Sequence, residues 1–407
     1  MRYDEAKKKM SDIGQPHVFD YYDELSDDQK ADLLRQVEET DFSVLSKIEQ
    51  GADDKRGVFS PLAAMQCSEI EAREKEFHDA GVKAIKAGKT AALLLAGGMG
   101  TRLGSDDPKG MYDIGITKPV YIFERIISNL LDVVKETDTW IRLFIMTSEK
   151  NHDKTVAFLK EHDYFGYKAD RIVFFRQDMA PACDFNGKLY LESKNRISTS
   201  PNGNAGWYSS MVRAGLDKIL ADEGIEWINI FAVDNVLQRI CDPCFVGATV
   251  LADVSVGAKV VRKAAPDEKV GVMCLEDGKP SIVEYYELSE DMMNAKDENG
   301  DPAYNYGVIL NYLFRISELA SVADDKMPLH VVKKKIPYMD ENGNEVKPNE
   351  PNGFKFEQLV IDMIHQLETC LPYEVKREKE FAPIKNRTGV DSVDSARELL
   401  KYNGVEL

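Results

Sequence analysis

The segment Leu93-Leu94-Leu95-Ala96-Gly97-Gly98-Met99-Gly100-Thr101-Arg102-Leu103-Gly104 runs from an apolar stretch straight into a glycine-rich turn. Ala91 to Ala96 reads as a buried strand. The glycines behind it let backbone N–H groups approach an anion without side-chain obstruction. Alone, this pattern says only that a phosphate binds near the end of a strand. Gly98-Met99-Gly100 opens like a GxGxxG fingerprint, but its third position is Leu103. Gly104 to Lys109 holds turn residues and a proline where a dinucleotide fold would begin a helix. No Gly-Lys-Ser/Thr follows at Walker spacing, which excludes that phosphate loop as well. Pro108-Lys109-Gly110 comes next. A lysine fixed beside a phosphate cradle can offset the charge that develops in phosphoryl or nucleotidyl transfer. The plain alternative is a surface lysine, and the preceding loop favours the chemical one.

Outward from this loop, short apolar runs alternate with helical patterns. Val120 to Val134 has helical periodicity through Ile122, Ile126, Ile127, Leu130 and Leu131, and Trp140 to Thr147 is a strand. Asp153 to His162 reads as a helix, Arg171 to Arg176 as a strand, Gly206 to Asp222 as a helix and Trp227 to Val233 as a strand. Strands alternating with helices imply an α/β fold. The expected centre is a Rossmann-like, mostly parallel or mixed sheet covered on both faces. Beyond Gly257 the strand signals crowd together, at Lys259 to Arg262, Val270 to Cys274 and Ser281 to Tyr285, and suggest a β-rich part. Phe356, Leu359, Val360, Met363, Ile364 and Leu367 recur at helical spacing and predict a core-facing helix. Asp297 to Pro302 and Asp340 to Asn344 are turn-rich loops.

Residues 1–88 read as a helical, charged extension. Ser26-Asp27-Asp28 offers caps before a helix through Leu33, Leu34 and Val37, and a second helix is expected from Glu69 to Ala87. The catalytic domain is then expected over 89–386, with a short helical tail over 387–407.

The chain has 407 residues, 43% hydrophobic and 30% charged, which is enough for a sizeable core. A net charge of −18 repels a nucleic-acid backbone, whereas a few lysines in one cleft can still hold a small anion. The six cysteines are scattered. Cys241-Asp-Pro-Cys244 is a lone CxxC without a second ligand pair, so a turn through Asp242-Pro243 is the simpler reading. No apolar run approaches the ~20 residues of a membrane span, and the polar N-terminus lacks a signal-peptide core. A cytoplasmic location and no membrane or nucleic-acid partner are expected.

Several separate motifs, in order, carry a family resemblance. Leu95-Ala-Gly-Gly-Met-Gly-Thr-Arg-Leu-Gly104 is followed by Pro108-Lys-Gly-Met-Tyr-Asp113, Asp163-Tyr-Phe-Gly166 and Phe174-Phe-Arg-Gln-Asp-Met-Ala-Pro-Ala182. Further along stand Asn202-Gly-Asn-Ala-Gly206, Phe231-Ala-Val-Asp-Asn235, Gly257-Ala-Lys-Val-Val261 and Val283-Glu-Tyr285. The last are Lys334-Lys-Ile-Pro-Tyr338, Pro351-Asn-Gly-Phe-Lys355 and Phe381-Ala-Pro-Ile-Lys-Asn386. From about residue 15 to 387 the chain resembles the eukaryotic-type UDP-N-acetylhexosamine pyrophosphorylases, within the UDP-glucose-pyrophosphorylase-type uridylyltransferases.

The resemblance implies a nucleotide-diphospho-sugar transferase fold. It also implies the reaction of UTP with a hexose 1-phosphate to give UDP-sugar and pyrophosphate, with Mg2+ or Mn2+. Arg102 and Lys109 would then be catalytic. Ala96, Gly97, Gly98, Gln177, Gly203 and Lys355 would bind the nucleotide, and Asn204, Glu284, Tyr285, Asn305 and Lys385 the sugar phosphate. Asp234 would hold the metal. The residues themselves support part of this. Asp234 ends a parallel strand, where ligands of such sheets bind, and Mg2+ uses one or two carboxylates plus substrate phosphates. Gln177 offers a donor and an acceptor side by side, as a uracil edge requires. Asn204 also suits a helix N-cap, and Asp234 a turn cap.

Two departures stand out. Relatives carry Asn-Ala-Gly-Asn where this chain has Asn305-Tyr306-Gly307-Val308, and valine cannot replace the second asparagine's hydrogen bonds. That opens glucose or galactose 1-phosphate as the sugar. Relatives also continue into a C-terminal β-domain, whereas a short helix around Ala396-Arg-Glu-Leu-Leu-Lys401 is expected here. A UDP-sugar-binding regulator without turnover is the rival from another class, and the full set Arg102, Lys109, Asp234 and Lys385 argues against it.

Overall fold

Ten strands form one sheet among the described residues of the computed structural model, which describes residues 1–50, 56–320, 322 and 327–407. In chain order they are β1 (Phe59–Pro61), β2 (Thr90–Leu95), β3 (Arg142–Thr147), β4 (Ile172–Arg176), β5 (Trp227–Ala232), β6 (Val256–Arg262), β7 (Val272–Glu276), β8 (Lys279–Val283), β9 (Tyr306–Arg315) and β10 (Cys370–Glu374). The sheet is mixed. β4, β3, β2 and β5 lie parallel in that order, and β9 then pairs antiparallel with β5. Beyond it, β6 and β7 pair antiparallel with β9, β8 and β1 pair antiparallel with β7, and β10 runs parallel to β6.

Burial explains why the central strands read as unbroken apolar runs. All six residues of β2 are buried, as expected for a parallel strand covered on both faces. The helix Ile122–Thr137 lays Ile122, Phe123, Ile126, Ile127, Leu130 and Val133 into the same core, and the helix Val393–Tyr402 adds Val393, Ala396 and Leu400.

By contacts the chain divides into two compact units whose segments interleave in sequence. The larger holds Arg56–Gln177, Trp207–Lys326 and Val360–Leu407, with the ten-stranded sheet. The smaller holds Met1–Lys55, Asp178–Gly206 and Met327–Leu359. Its helices Tyr3–Asp12 and Asp27–Glu39 share an apolar core with Ala180, Ile197 and Phe356. Ser26 caps the second helix in a capping box with Gln29. The Gln15 side chain donates to the Gly187 carbonyl and accepts from Leu189 N–H, each at 2.9 Å.

Several expectations change. The boundary at residue 88 matches neither unit. Within 1–88, β1 joins the main sheet, and the helix Glu74–Lys86 shares an apolar cluster with Phe245 and Val246 of the helix Pro243–Leu251. The helix expected from Glu69 to Ala87 is two, Cys67–Ala72 and Glu74–Lys86. Gly206 to Asp222 also holds two, Trp207–Arg213 and Asp217–Asp222, because Gly215 takes a left-handed φ of +71° between them. The stripe from Phe356 to Leu367 is not one helix. Phe356 belongs to the strand Gly353–Glu357, which pairs with His330–Lys334, and only Val360–His365 is helical. The apolar spacing is helical throughout, but Phe356 is taken into strand pairing with His330–Lys334, a long-range contact that overrides the local period.

The cysteines are all free. Asp242-Pro243 is not the expected turn but a helix start, with Asp242 capping the helix Pro243–Leu251. No helix among the described residues is long and apolar enough to cross a membrane.

Candidate active site

The glycine loop leaves the buried end of β2 and is held from beneath by one side chain. Asn151, fully buried, donates from Nδ2 to the Ala96 carbonyl at 2.9 Å and to the Gly98 carbonyl at 3.4 Å, and its Oδ1 accepts from Ser148 N–H at 2.8 Å. Gly100 N–H donates to the Asp107 carbonyl at 2.8 Å and Lys109 N–H to the Gly98 carbonyl at 3.1 Å. The loop therefore folds back on itself, and Lys109 is fixed to its base. Gln177 follows β4, with its N–H on the Thr147 carbonyl at 2.8 Å. Its side chain lies against Gly97, where a Cβ would meet Gln177 Nε2 at 2.7 Å. Ala96, Gly97, Gly98, Lys109 and Gln177 thus stand together at the C-terminal end of the parallel strands, the position at which open α/β sheets bind ligands.

Asp234 follows β5 on the same edge. Its carboxylate forms no ion pair or hydrogen bond among the described residues. The neighbouring Asn235 ties this segment to a distant one: its Oδ1 accepts from Ala382 N–H at 2.9 Å and its Nδ2 donates to the Glu380 carbonyl at 2.8 Å. The Asp234 carbonyl accepts from Ile384 N–H at 2.8 Å, which brings the neighbouring Lys385 to the same place. Lys109 is mostly buried. Burial pulls its pKa below the ordinary lysine value, Asp234 opposes that shift, and Arg102 and Lys385 add to it. Arg102, Lys109, Lys385 and Asp234 are therefore one electrostatic group. Lys385 Nζ is paired with Asp391 Oδ2 at 3.0 Å.

Glu284 and Tyr285 come just after β8 rather than within a strand. Glu284 is half-buried. Burial, with Glu287 and Asp362 nearby, holds its carboxyl above the usual range, and Arg56 and Lys385 oppose that. The turn is pinned: Glu284 N–H donates to Glu287 Oε2 at 2.9 Å, and Arg56 Nη1 donates to Glu287 Oε1 at 3.1 Å. A Cβ on Gly271 would sit 3.4 Å from Val308 Cγ2 and 3.5 Å from Glu284 Oε1. Val308 and Glu284 thus both flank Gly271. Asn305 is buried just before β9, its carbonyl accepting from Lys263 N–H at 2.9 Å, and no described contact ties it to Glu284.

In the smaller unit, Gly203 has φ +96°, and a Cβ there would meet the Gln358 carbonyl oxygen at 2.1 Å. Only glycine suits this backbone whatever it binds. Asn204 follows it, three residues before the helix start at Trp207 and so not at its cap. Lys355 lies opposite Val332 in the strand pairing.

Sequence reasoning did not find Asn151, Gly271 or Asp391. Each acts through a contact far along the chain or a local loop, and a polar residue after a strand, as in Thr147-Ser-Glu-Lys-Asn151, is the only signal available.

A model of the UTP–glucose-1-phosphate uridylyltransferase family matches residues 48–401. The chain belongs to this family. A mouse protein named UDP-N-acetylhexosamine pyrophosphorylase-like protein 1 is 36% identical over 95% of this chain and 81% of its own length. The UDP-N-acetylglucosamine pyrophosphorylase of Saccharomyces cerevisiae is 33% identical over 98% of this chain and 89% of its own. Among solved structures, an Entamoeba histolytica protein assigned as a UDP-N-acetylglucosamine pyrophosphorylase superposes with TM-score 0.77 at 31% identity, covering 85% of this chain and 88% of that one. The mixed α/β architecture described here is shared with that Entamoeba histolytica structure.

Proposed function

We propose that the protein transfers the uridylyl group of UTP to an N-acetylhexosamine 1-phosphate, N-acetylglucosamine or N-acetylgalactosamine 1-phosphate, giving UDP-sugar and pyrophosphate in a reversible reaction. One observation carries the chemistry: a desolvated Lys109, tied to the glycine loop, shares its field with Arg102, Lys385 and Asp234. The relatives' names carry the sugar, and they favour the acetylated hexoses over glucose or galactose.

A phosphate oxygen of the sugar 1-phosphate attacks the α-phosphorus of UTP in line. The new O–P bond forms as the bond from the α-phosphorus to the α,β-bridging oxygen breaks, and that electron pair leaves with pyrophosphate. No covalent enzyme intermediate is needed, so positioning and charge stabilisation do the work. The loop N–H groups orient the triphosphate. Lys109 and Arg102 offset charge at the α-phosphate and the leaving group. Lys385 holds the attacking phosphate, exchanging Asp391 for it. Gln177 faces the uracil edge, and Glu284 and Tyr285 take sugar hydroxyls. Gly203 and Lys355 against the nucleotide, and Asn204 and Asn305 against the sugar, rest on the family resemblance alone.

The donor set suits Mg2+ or Mn2+ held mainly by substrate. Among the described residues, Asp234 is a carboxylate without an ion-pair partner, and no cluster of three His, Cys, Asp or Glu residues that could hold a metal occurs. Such an ion, when bound, neutralises triphosphate oxygens.

The test is pyrophosphate release from UTP and Mg2+ across a panel of sugar 1-phosphates, with Lys109→Ala as control. The highest kcat/KM is expected with an N-acetylhexosamine 1-phosphate. No release with any member of the panel overturns the proposal.

A further inference from the structure

Strand β6 buries an entire lysine. Lys259 has no exposed surface, and its Nζ donates to Glu380 Oε2 at 2.6 Å, to the Arg239 carbonyl at 3.0 Å and to Asp242 Oδ2 at 3.4 Å. Opposite it, the pairing of β6 with β9 breaks register between Ala258 and Val260, and Leu310 stands at φ +53°. Taking two charges out of water is costly, and apolar residues of similar volume commonly hold a fold as well or better. Stability alone is therefore a poor reason for this pair.

Its location gives a better one. Glu380 Oε2 also accepts from Arg239 N–H at 3.1 Å, and the Glu380 carbonyl accepts from Asn235 Nδ2 at 2.8 Å. Ala382 N–H returns to Asn235 Oδ1 at 2.9 Å, and Ile384 N–H donates to the Asp234 carbonyl at 2.8 Å. Two segments, 234–239 and 380–385, are thus laced side by side, and the Lys259–Glu380 pair fastens both to the sheet. One segment begins with Asp234 and the other ends with Lys385.

We propose that Lys259 and Glu380 are positioning residues that set the spacing between Asp234 and Lys385, and through it the placement of the sugar phosphate against the α-phosphate. The inference rests on the roles given above to Asp234 and Lys385. An apolar pair would fill the space but could bond neither the Arg239 N–H nor its carbonyl, so the segments would drift. Losses of this kind fall on the attacking group more than on the nucleotide, because the glycine loop is held separately by Asn151.

The decisive variant is Lys259→Met/Glu380→Leu, measured by thermal melting and by steady-state kinetics in both substrates. It is expected to stay folded but to melt about 5–10 °C below the parent, because the Arg239 N–H and carbonyl and Asp242 lose a partner. Its kcat should fall at least about tenfold and its KM for the sugar 1-phosphate rise about fivefold or more, with the KM for UTP within about twofold. Parental kinetics in the folded double variant overturn the proposal, and so does a rise in both KM values together. If the double variant does not fold, Lys259→Met alone, which removes the tie of both segments to the sheet, is judged by the same kinetic criteria. Asp234→Asn and Lys385→Ala separate the two layers. If both retain parental kinetics, the reading of the site fails and this inference with it. If both lose activity while the Lys259/Glu380 variant does not, only this inference fails.

Discussion

The two ends of the main sheet assemble their functional groups in opposite ways. At the parallel end, the residues from Ala96 to Lys109 are contiguous, and much of what they offer is backbone. At the antiparallel end, Glu284, Gly271 and Val308 come from three separate segments and meet only through strand pairing, with Val308 N–H on the Gly271 carbonyl at 2.9 Å. Their electrostatics oppose each other too. Lys109 is a desolvated cation among further cations, and Glu284 a desolvated carboxylate beside Glu287 and Asp362. The first suits a polyphosphate and the second a neutral ring of hydroxyls, so the contrast fits a two-substrate transfer.

The sharpest way to break this contrast is at Lys109. Lys109→Ala should lower kcat by roughly 10²–10³, the usual cost of removing one preorganised group that stabilises transition-state charge. Melting should be unaffected, since Lys109 makes no ion pair among the described residues. A loss under about tenfold would remove Lys109 from the chemistry. Burial already lowers its pKa in the unliganded protein, so kcat/KM for UTP should begin to fall on the alkaline side below the pH at which an ordinary lysine loses its proton.

Glu284 should show the reverse. Its raised pKa means that it takes up a proton above the usual carboxylate range as pH falls. A protonated acid loses acceptor capacity for sugar hydroxyls, so KM for the sugar 1-phosphate should climb on the acid side while KM for UTP stays flat. Glu284→Gln should raise the sugar KM by about tenfold or more, on the scale of hydrogen bonds to charged groups, and abolish that pH dependence. A sugar KM insensitive to both changes would take Glu284 out of the sugar site.

A smaller effect sharpens the parallel end. Gly97→Ala places a methyl 2.7 Å from Gln177 Nε2, the end of a movable side chain. The fold should survive, Gln177 should shift, and KM for UTP should rise about tenfold with the sugar KM unchanged. Equal changes in both would mean that Gln177 does not face the nucleotide.

The same contrast explains what could be read from the sequence. The alternating strands, the glycine loop and Lys109 were legible because each is a local pattern: an apolar run, a turn composition, a fixed spacing. The mixed character of the sheet was only partly so, because antiparallel pairing depends on contacts such as Gly307 with Val272, far apart in the chain. The roles of Gln177, Lys355 and Lys385 came only through resemblance, since a lysine or glutamine carries no spacing signature. Asn151 and Arg56 were invisible for the same reason. The Phe356 stripe failed differently: its helical spacing was real, but pairing of Gly353–Glu357 with His330–Lys334 claimed its first residue for a strand.

Arg56 gives the mildest test, and it concerns how the sugar end is held. Arg56 donates to Glu276 Oε2 at 2.9 Å, to Glu287 Oε1 at 3.1 Å and to the Ile282 carbonyl at 3.1 Å, so it braces the turn that carries Glu284. Burial alone would raise the Glu276 pKa. The hydrogen bonds from Arg56, Gly57 N–H and Ser281 outweigh it and hold the carboxyl at about 2. A carboxyl depressed in the folded state contributes stability that is fully present above its unfolded value of roughly 4.5. That contribution fades as pH falls toward about 2. Arg56→Met should therefore lower the melting temperature by about 2–4 °C at neutral pH, and the deficit should shrink as the pH is taken below about 4. The sugar KM should rise about threefold at most, because Glu284 keeps its own chain position and loses only its brace. A deficit that stays constant down to pH ~2.5 would show that Arg56 works through its contact with Phe59, its ring centroid 4.9 Å away, and not through the Glu276 carboxylate.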